Sequence, residues 1–160
     1  MKDFLLVRHG IAEDPAVTVS DAARRLTAEG RAVTDRLAMV LARCCPRFDL
    51  LVCSPLVRAE ETADVLTARL VCDRRIVEPL LVPEASPQQA LERLAAWPEA
   101  RVLIVGHEPC LSGIIGLSLG CSPSAIAMPR SGACRLGFVP SVRPSAGVLC
   151  WHLDPAVLPG

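Results

Sequence analysis

Two arginines and two histidines stand at points of the chain where apolar runs end. They are Arg8, His9, Arg58 and His107. Guanidinium groups bind phosphoryl oxygens through paired N–H groups of fixed geometry, and they stabilise the charge on those oxygens during transfer. Neutral imidazole is a competent nucleophile near pH 7, with an ordinary pKa of about 6.5, which neighbouring arginines lower further. Together, these residue types predict phosphoryl-transfer chemistry.

The elements that must position these side chains are three short apolar strands. Phe4–Val7, Asp49–Cys53 and Arg101–Val105 are typical of strands buried within a parallel sheet. The first of them leads into His9 and the third into His107. Because ligands bind at the carboxyl ends of strands in open α/β sheets, we expect the polar groups to meet at that edge.

Arg58 is expected in the first turn of the helix that follows the second strand. Ser54 can cap this helix, and Pro55 suits its first position because proline lacks an N–H group that would have no partner there. The apolar face consists of Ala59, Ala63, Leu66 and Leu70. Long helical side chains lean toward the helix N-terminus. The guanidinium and the free backbone N–H groups therefore point to the same edge, which predicts an anion site.

The remaining segments continue an alternation of strands and helices. Thr27 is expected to cap a helix that Pro46 ends, with an apolar stripe of Val33, Leu37, Val40, Leu41 and Cys44. The later elements are an edge strand at 76–78, a helix that includes Leu91 and Leu94, a helix at 111–119, and strands 132–139 and 147–153. This pattern predicts a three-layer α/β/α sandwich with a mostly parallel central sheet and a C-terminal hairpin. His152, inside the last strand, is interpreted as structural.

Length and composition set the class of protein. The 160 residues predict a single domain spanning 1–160, with residues 154–160 as a loose tail. The formal net charge is zero, which argues against a nucleic-acid partner. No apolar stretch reaches the roughly 18 residues of a membrane helix, and no signal peptide is evident. We therefore expect a cytoplasmic protein without a membrane partner.

The eight cysteines show neither a CxxC motif nor the paired Cys/His spacing of a zinc site. Several lie in apolar stretches, Cys53 and Cys150 among them, where cysteine behaves as a small hydrophobic residue. Reduced structural thiols are the expectation for this compartment. No metal and no cofactor are predicted.

Three segments of the chain resemble the histidine phosphatase superfamily, which includes the phosphoglycerate mutases. They are Leu6-Val7-Arg8-His9-Gly10, Ser54-Pro55-Leu56-Val57-Arg58-Ala59-Glu60-Glu61-Thr62 and Val105-Gly106-His107-Glu108-Pro109. The motifs occur in the order of that family, and the resemblance spans nearly the whole chain. The chain has no room for the large helical insertions of phosphoglycerate mutases or acid phosphatases. With Arg25-Leu26-Thr27 and Gly30 before the first long helix, it is most similar to the SixA-type phosphohistidine phosphatases.

The resemblance implies a role for each of the four residues. His9 attacks phosphorus and forms a transient phosphohistidine that water hydrolyses, while Arg8, Arg58 and His107 hold the phosphoryl oxygens. Inorganic phosphate is the product, and no metal is implied. The general acid is less clear: Glu84 is the nearest candidate, but its loop does not match the family pattern well.

The substrate remains open between alternatives. A phosphohistidine has a less basic leaving group than an alkoxide, so a weak or absent general acid favours a phosphorylated protein as substrate. A small-molecule phosphomonoesterase and a non-catalytic phosphate-binding module are the other two hypotheses.

Overall fold

The structure is a computed structural model, and it describes residues 1–158. Its strands and helices, in chain order, are β1 (Lys2–Arg8), α1 (Ala28–Cys44), β2 (Arg47–Phe48), β3 (Leu50–Cys53), α2 (Val57–Thr67), β4 (Val71–Cys72), β5 (Arg75–Val77), α3 (Pro87–Ala96), β6 (Arg101–Gly106), α4 (Cys110–Leu119), β7 (Ala133–Phe138) and β8 (Gly147–Leu153). None of the helices within residues 1–158 combines the length and apolar character needed to cross a bilayer.

The central sheet has six strands in the order β5-β3-β6-β1-β7-β8. The first four are parallel to one another, and β7 and β8 complete the sheet in antiparallel pairing. A separate two-stranded ladder joins β2 and β4. The mostly parallel sheet with its C-terminal hairpin confirms the predicted arrangement.

Alternating strand residues supply the two faces of the sheet. In β1, Phe4 and Leu6 pack with residues of α3 and α4, whereas Leu5 and Val7 pack with residues of α1 and α2. All four side chains are buried, and burying a side chain of this size contributes about 1.5–3 kcal/mol. The apolar run of β1 is continuous because helices cover both faces, and this confirms the three-layer sandwich.

The register of the parallel strands aligns their carboxyl ends. Arg8 lies opposite Gly106, and Cys53 lies opposite Val105. Beyond the strands, the backbone N–H of His9 donates to the Gly106 carbonyl over 3.0 Å. The residues that follow β1, β3 and β6 are therefore brought together at one edge.

Helix boundaries and faces differ in detail from the sequence expectations. Thr27 caps α1 as predicted, with its hydroxyl accepting from the Gly30 N–H at 2.9 Å. The buried stripe of α1 runs through Thr34, Leu37, Ala38 and Leu41, whereas Cys44 is exposed. Helix α2 begins at Val57 after an extended Leu56, so Ser54 does not cap it, and Leu70 lies beyond its end.

The sequence predicts a loose tail over residues 154–160, and the structure describes the first five of these residues. Asp154 caps a turn of 3-10 helix over Pro155–Val157, and its side chain accepts from the Ala156 N–H at 2.9 Å. Pro155 is buried. Residues 159–160 of the predicted tail lie outside the described part of the chain, and the loose tail stays a prediction.

The cysteine expectations are met in part. Cys45, Cys53, Cys110 and Cys134 are buried, as small hydrophobic residues would be. Cys44, Cys121 and Cys150 are exposed instead. All eight cysteines are free thiols.

Candidate active site

His9 lies immediately after β1 with its imidazole oriented by the neighbouring backbone. Its Nδ1 is 2.7 Å from the Gly10 carbonyl oxygen. A carbonyl oxygen only accepts hydrogen bonds, so Nδ1 carries the proton of the neutral ring and Nε2 keeps a lone pair. The side chain is buried with 7% of its surface exposed. The contact with Gly10 thus leaves His9 in the tautomer that a nucleophile requires.

Gly10 must be a glycine for steric reasons. A Cβ atom at this position would lie 2.7 Å from the Thr34 hydroxyl and 3.0 Å from the Gly30 carbonyl. Its backbone N–H donates to the Thr62 hydroxyl over 3.0 Å, and that hydroxyl donates to the Arg58 carbonyl over 2.6 Å. Close packing against α1 and α2 therefore sets the position of the turn that carries His9.

Each of the two arginines is held by hydrogen bonds to a different segment of the chain. Arg8 donates from Nη1 to the Met128 carbonyl over 2.8 Å. Arg58 is 3% exposed and donates to Asp21, from Nη1 to its carbonyl at 2.8 Å and from Nη2 to its carboxylate at 3.0 Å. Each guanidinium keeps N–H groups that these contacts do not use.

His107 lies beside His9 at the carboxyl end of β6. The two imidazole centroids are 4.8 Å apart, and the rings are inclined at 48°. The Nε2 atom of His107 is 2.8 Å from the Ser54 hydroxyl oxygen, and that oxygen accepts from the Leu56 N–H at 3.3 Å, so its own proton can be donated to Nε2. A hydroxyl that donates to Nε2 places the ring proton on Nδ1. His107 can then donate to an oxygen acceptor through Nδ1.

Three buried polar atoms of these residues have no hydrogen-bond partner within residues 1–158. They are Arg8 Nε, Arg58 Nε and His107 Nδ1. An unpaired buried polar group costs about 1–3 kcal/mol. All three can donate, so they suit a group with several acceptor oxygens, such as a phosphoryl group.

Burial and positive charge keep both imidazoles neutral. Burial lowers the pKa of His9 to about 4, assisted by the charges of Arg58, Arg8 and Arg130. Burial also lowers the pKa of His107 to about 3, and the neighbouring His9 and Arg58 act in the same direction. At pH 7 the Nε2 lone pair of His9 is therefore available for attack on phosphorus.

Comparison with known proteins shows the family to which this chain belongs. The model of the histidine phosphatase superfamily (branch 1) matches residues 4–81, which carry the first two motifs. An uncharacterized protein of Picosynechococcus sp. is 34% identical over 145 residues, covering 84% of this chain and 88% of that protein. The chain belongs to the histidine phosphatase superfamily.

Solved structures share the fold of this superfamily member. The protein histidine phosphatase SixA complexed with tungstate has a TM-score of 0.82 at 22% identity, with 96% of this chain and 97% of that chain covered. The phosphoserine phosphatase of Entamoeba histolytica in complex with 3-phosphoglyceric acid has a TM-score of 0.69 at 17% identity, with 96% and 98% covered. At these identities the likeness concerns the fold alone.

Sequence reasoning missed the residues that hold this histidine phosphatase site in shape. Asp21 was assigned no role, yet its carboxylate contacts Arg58 and Arg24. The hydrogen bond from Arg24 and the nearby Arg58 hold the pKa of the Asp21 carboxyl below its usual range. Asp21 begins a single 3-10 turn (Asp21–Ala23) in the largely irregular segment between β1 and α1, where no periodic pattern could have predicted its contact.

Glu61 anchors the same irregular segment to α2. Its carboxylate accepts from Arg25 Nε at 2.9 Å and from the Leu26 N–H at 2.7 Å, and it pairs with Arg31 at 2.7 Å. Glu61 belongs to the second motif and lies one turn after Arg58, and that position was the available signal. This buried carboxylate therefore helps to position the segment that carries Asp21.

In the described part of the chain, Glu84, the candidate general acid, makes none of the contacts that join the other predicted site residues to their surroundings at the carboxyl edge. Its side chain is exposed on a turn at 82–85, where the Ala85 N–H donates to the Val82 carbonyl over 3.1 Å. Within residues 1–158, no hydrogen bond or ion pair joins its carboxylate to Arg8, His9, Arg58 or His107. His152 is exposed on β8, at the far side of the sheet from β3.

A metal site was not predicted for this chain. Among the described residues, no three His, Cys, Asp or Glu side chains are grouped closely enough to hold a metal ion.

Proposed function

We propose that this member of the histidine phosphatase superfamily hydrolyses phosphohistidine on a phosphorylated protein through a phosphoenzyme formed at His9. The single observation that carries the proposal is the state of His9, a buried neutral imidazole with Nδ1–H on the Gly10 carbonyl. Its imidazole centroid lies 4.8 Å from that of His107, and Arg8 Nε, Arg58 Nε and His107 Nδ1 are buried without a hydrogen-bond partner within residues 1–158. Metal-independent chemistry and a cytoplasmic location belong to the same proposal.

In the first step, the Nε2 lone pair of His9 attacks phosphorus. The new Nε2–P bond forms as the P–N bond to the substrate histidine breaks, and the bonding electrons return to that nitrogen. If the other nitrogen of the substrate ring carries a proton, the imidazole leaves as a neutral molecule and needs no general acid. The proton stays on His9 Nδ1, which continues to donate to the Gly10 carbonyl, and this hydrogen bond accommodates the cationic phosphoimidazole.

In the second step, a water molecule attacks phosphorus from the side that the leaving group vacated. The Nε2–P bond breaks, His9 returns to its neutral form, and inorganic phosphate takes up the water oxygen together with one of its protons, the other going to solvent. Arg8 and Arg58 stabilise the equatorial oxygens in both transition states, and His107 adds a neutral donor.

A phosphoprotein substrate is supported by two observations. Glu84 is exposed and makes no contact with the site residues within the described chain, which suits a leaving group that needs little acid assistance. The fold is also shared with the protein histidine phosphatase SixA. Hydrolysis of a small phosphomonoester is the second candidate, because the same fold occurs in the Entamoeba histolytica phosphoserine phosphatase.

Rapid-quench mass spectrometry tests the proposal. The enzyme is mixed with a phosphohistidine protein, quenched in alkali within milliseconds, digested and mapped. We expect phosphate on His9 and none on His152, which serves as an internal control. Absence of turnover on any phosphohistidine protein would overturn the substrate assignment, and phosphate mapped to another residue would overturn the nucleophile assignment.

A further inference from the structure

A cleft beside the phosphoryl site contains two arginines, Arg36 and Arg130, that have no role in the proposed mechanism. It is an open depression of about 450 Å³, whose lining includes the charged residues Arg8, Arg36, Arg130 and Asp154 and the apolar residues Ile11, Val33 and Pro129. Arg8 is shared with the phosphoryl site, whereas His9, Arg58 and His107 do not line the cleft. The cleft is therefore adjacent to the phosphoryl site, on the Arg8 side.

The charge of this cleft is positive. Three arginines face one carboxylate, that of Asp154, and one of its oxygens already accepts from the Ala156 N–H at 2.9 Å. Within residues 1–158, neither Arg36 nor Arg130 forms an ion pair, and Arg36 Nε is buried without a hydrogen-bond partner. The neighbouring Asp35 does not neutralise Arg36, because its carboxylate pairs with Arg69 at 2.6 Å.

Backbone hydrogen bonds place Arg130 next to Arg8. The Met128 carbonyl accepts from Arg8 Nη1, and the Ser131 N–H donates to the Arg8 carbonyl over 3.1 Å. Ser131 has a φ of 57°, a left-handed conformation that costs a non-glycine residue about 1–2 kcal/mol. Its hydroxyl is 2.9 Å from the Thr34 hydroxyl, so α1 helps to hold the strained turn. The position of Arg130 is thus built into the fold.

We propose that this cleft binds an acidic side chain of the substrate protein, located within a few residues of the phosphorylated histidine. This inference rests on the proposed function and adds a sequence preference to it. Arg36 and Arg130 supply the donors for a carboxylate, and Ile11, Val33 and Pro129 supply an apolar wall for its methylene groups. A cleft that begins at Arg8 is within reach of a side chain on the segment that delivers the phosphoryl group.

Paired peptides test the preference. One phosphohistidine peptide carries glutamate at the positions flanking the phosphohistidine, and its partner carries glutamine at the same positions. We expect the wild-type kcat/KM to favour the glutamate peptide by about threefold to tenfold at low ionic strength, as partly exposed ion pairs allow. The preference should shrink as salt is added.

Substitutions identify the residues responsible. Arg36→Met and Arg130→Met should each bring the ratio of the two kcat/KM values toward one, and Arg36→Lys should retain part of the preference. Arg143→Met is the matched control. It removes an exposed arginine from the 140–146 turn, which follows the Phe138 end of β7 paired with Lys2 at the opposite edge of the sheet.

The outcomes separate the two proposals. Equal rates on both peptides in the wild type, or a preference that survives both methionine variants, would overturn the cleft assignment while leaving the proposed function intact. If the variants alter discrimination between O-phosphoserine and phosphoethanolamine but not between the peptides, the cleft serves a small phosphorylated acid and the phosphoprotein assignment fails. No hydrolysis of either peptide would count against the proposed function itself.

Discussion

The charged side chains at the two edges of the central sheet differ in whether neighbouring groups of the protein pair with them. At the amino ends of the parallel strands, Asp3 binds Arg135 through two hydrogen bonds of 2.6 and 3.1 Å. Asp49 likewise accepts from the N–H groups of Ala100 and Arg101 at 3.1 and 2.8 Å. Both carboxylates are therefore paired with neighbouring groups of the protein, and their role is structural.

The carboxyl edge of the same strands gathers charge that the protein does not fully match. Arg8 and Arg58 lie beside two neutral histidines, and each arginine keeps a buried Nε without a partner within residues 1–158. Asp21 contacts only part of the Arg58 guanidinium. Since both edges belong to one sheet, the comparison separates residues that stabilise the fold from those available to a ligand.

The largest loss of activity is expected from His9→Ala. Removing the proposed nucleophile should lower kcat/KM on a phosphohistidine peptide by about 10⁴-fold or more. Phosphate binding, measured by calorimetry, should be partly retained because the arginines remain. His152→Ala, which alters an exposed histidine on β8, should keep wild-type rates. Near wild-type turnover in His9→Ala would show that the nucleophile is misassigned.

Arg58→Ala should weaken both binding and catalysis. Loss of a charged donor to the transition state lowers rates by about 10²- to 10³-fold, and the affinity for phosphate should fall as well. Arg69, beyond the end of the same helix, pairs with Asp35 at the surface, so Arg69→Ala is the matched control. A drop in stability without loss of phosphate affinity would place Arg58 with the structural charges instead.

The neutral histidines of the carboxyl edge should make the fold sensitive to acid. In the unfolded chain both have a pKa near 6.5, whereas in the folded protein the pKa values are about 4 for His9 and about 3 for His107. Below about pH 6.5 the unfolded state binds more protons, so stability falls as the pH is lowered toward 4, by a few kcal/mol in order of magnitude.

Urea unfolding at several pH values between 7.5 and 4.5 measures this decline. His9→Asn and His107→Asn should each reduce its slope, since each removes one group whose pKa differs between the two states. An unchanged slope in both variants would mean that other groups control the acid sensitivity.

A substitution at the amino edge should lower stability and leave activity nearly unchanged. Asp3→Asn breaks the paired hydrogen bonds to a half-buried arginine and should lower the free energy of unfolding by about 1–3 kcal/mol. Activity per folded molecule should stay within about twofold of wild type, because the change lies at the other end of β1 from His9. Loss of activity with unchanged stability would contradict the division between the edges.

The smallest change in activity is expected from Glu84→Gln. The exposed carboxylate makes no contact with the four site residues within the described chain. Turnover of phosphohistidine should therefore stay within about twofold, against the roughly 10²- to 10⁴-fold that a general acid contributes. Measuring an alkyl phosphate in parallel sharpens the result, since that leaving group depends more on acid assistance. A hundredfold loss on phosphohistidine would restore Glu84 as the proton donor.

Much of the fold could be predicted because local patterns and the overall structure agree. Buried strands such as Phe4–Val7 are recognisable as apolar runs, and the position of the polar residue after each run predicts the edge at which it lies. The start of α2 was predicted less well. Ser54 has the side chain of a helix cap, but tertiary contacts use its hydroxyl at His107. Single-domain organisation and the catalytic roles stay predictions.

The sequence by itself determined which groups reach the carboxyl edge, since Arg8 ends a core strand and His9, Arg58 and His107 each follow one in the chain. Only the tertiary structure decided their chemical state. The hydrogen bond from His9 Nδ1 to Gly10, the burial that lowers both imidazole pKa values and the placement of Asp21 and Arg130 all depend on how separate segments pack. Periodicity specifies the face and the end of an element, whereas burial and hydrogen bonding depend on neighbours that are distant in sequence.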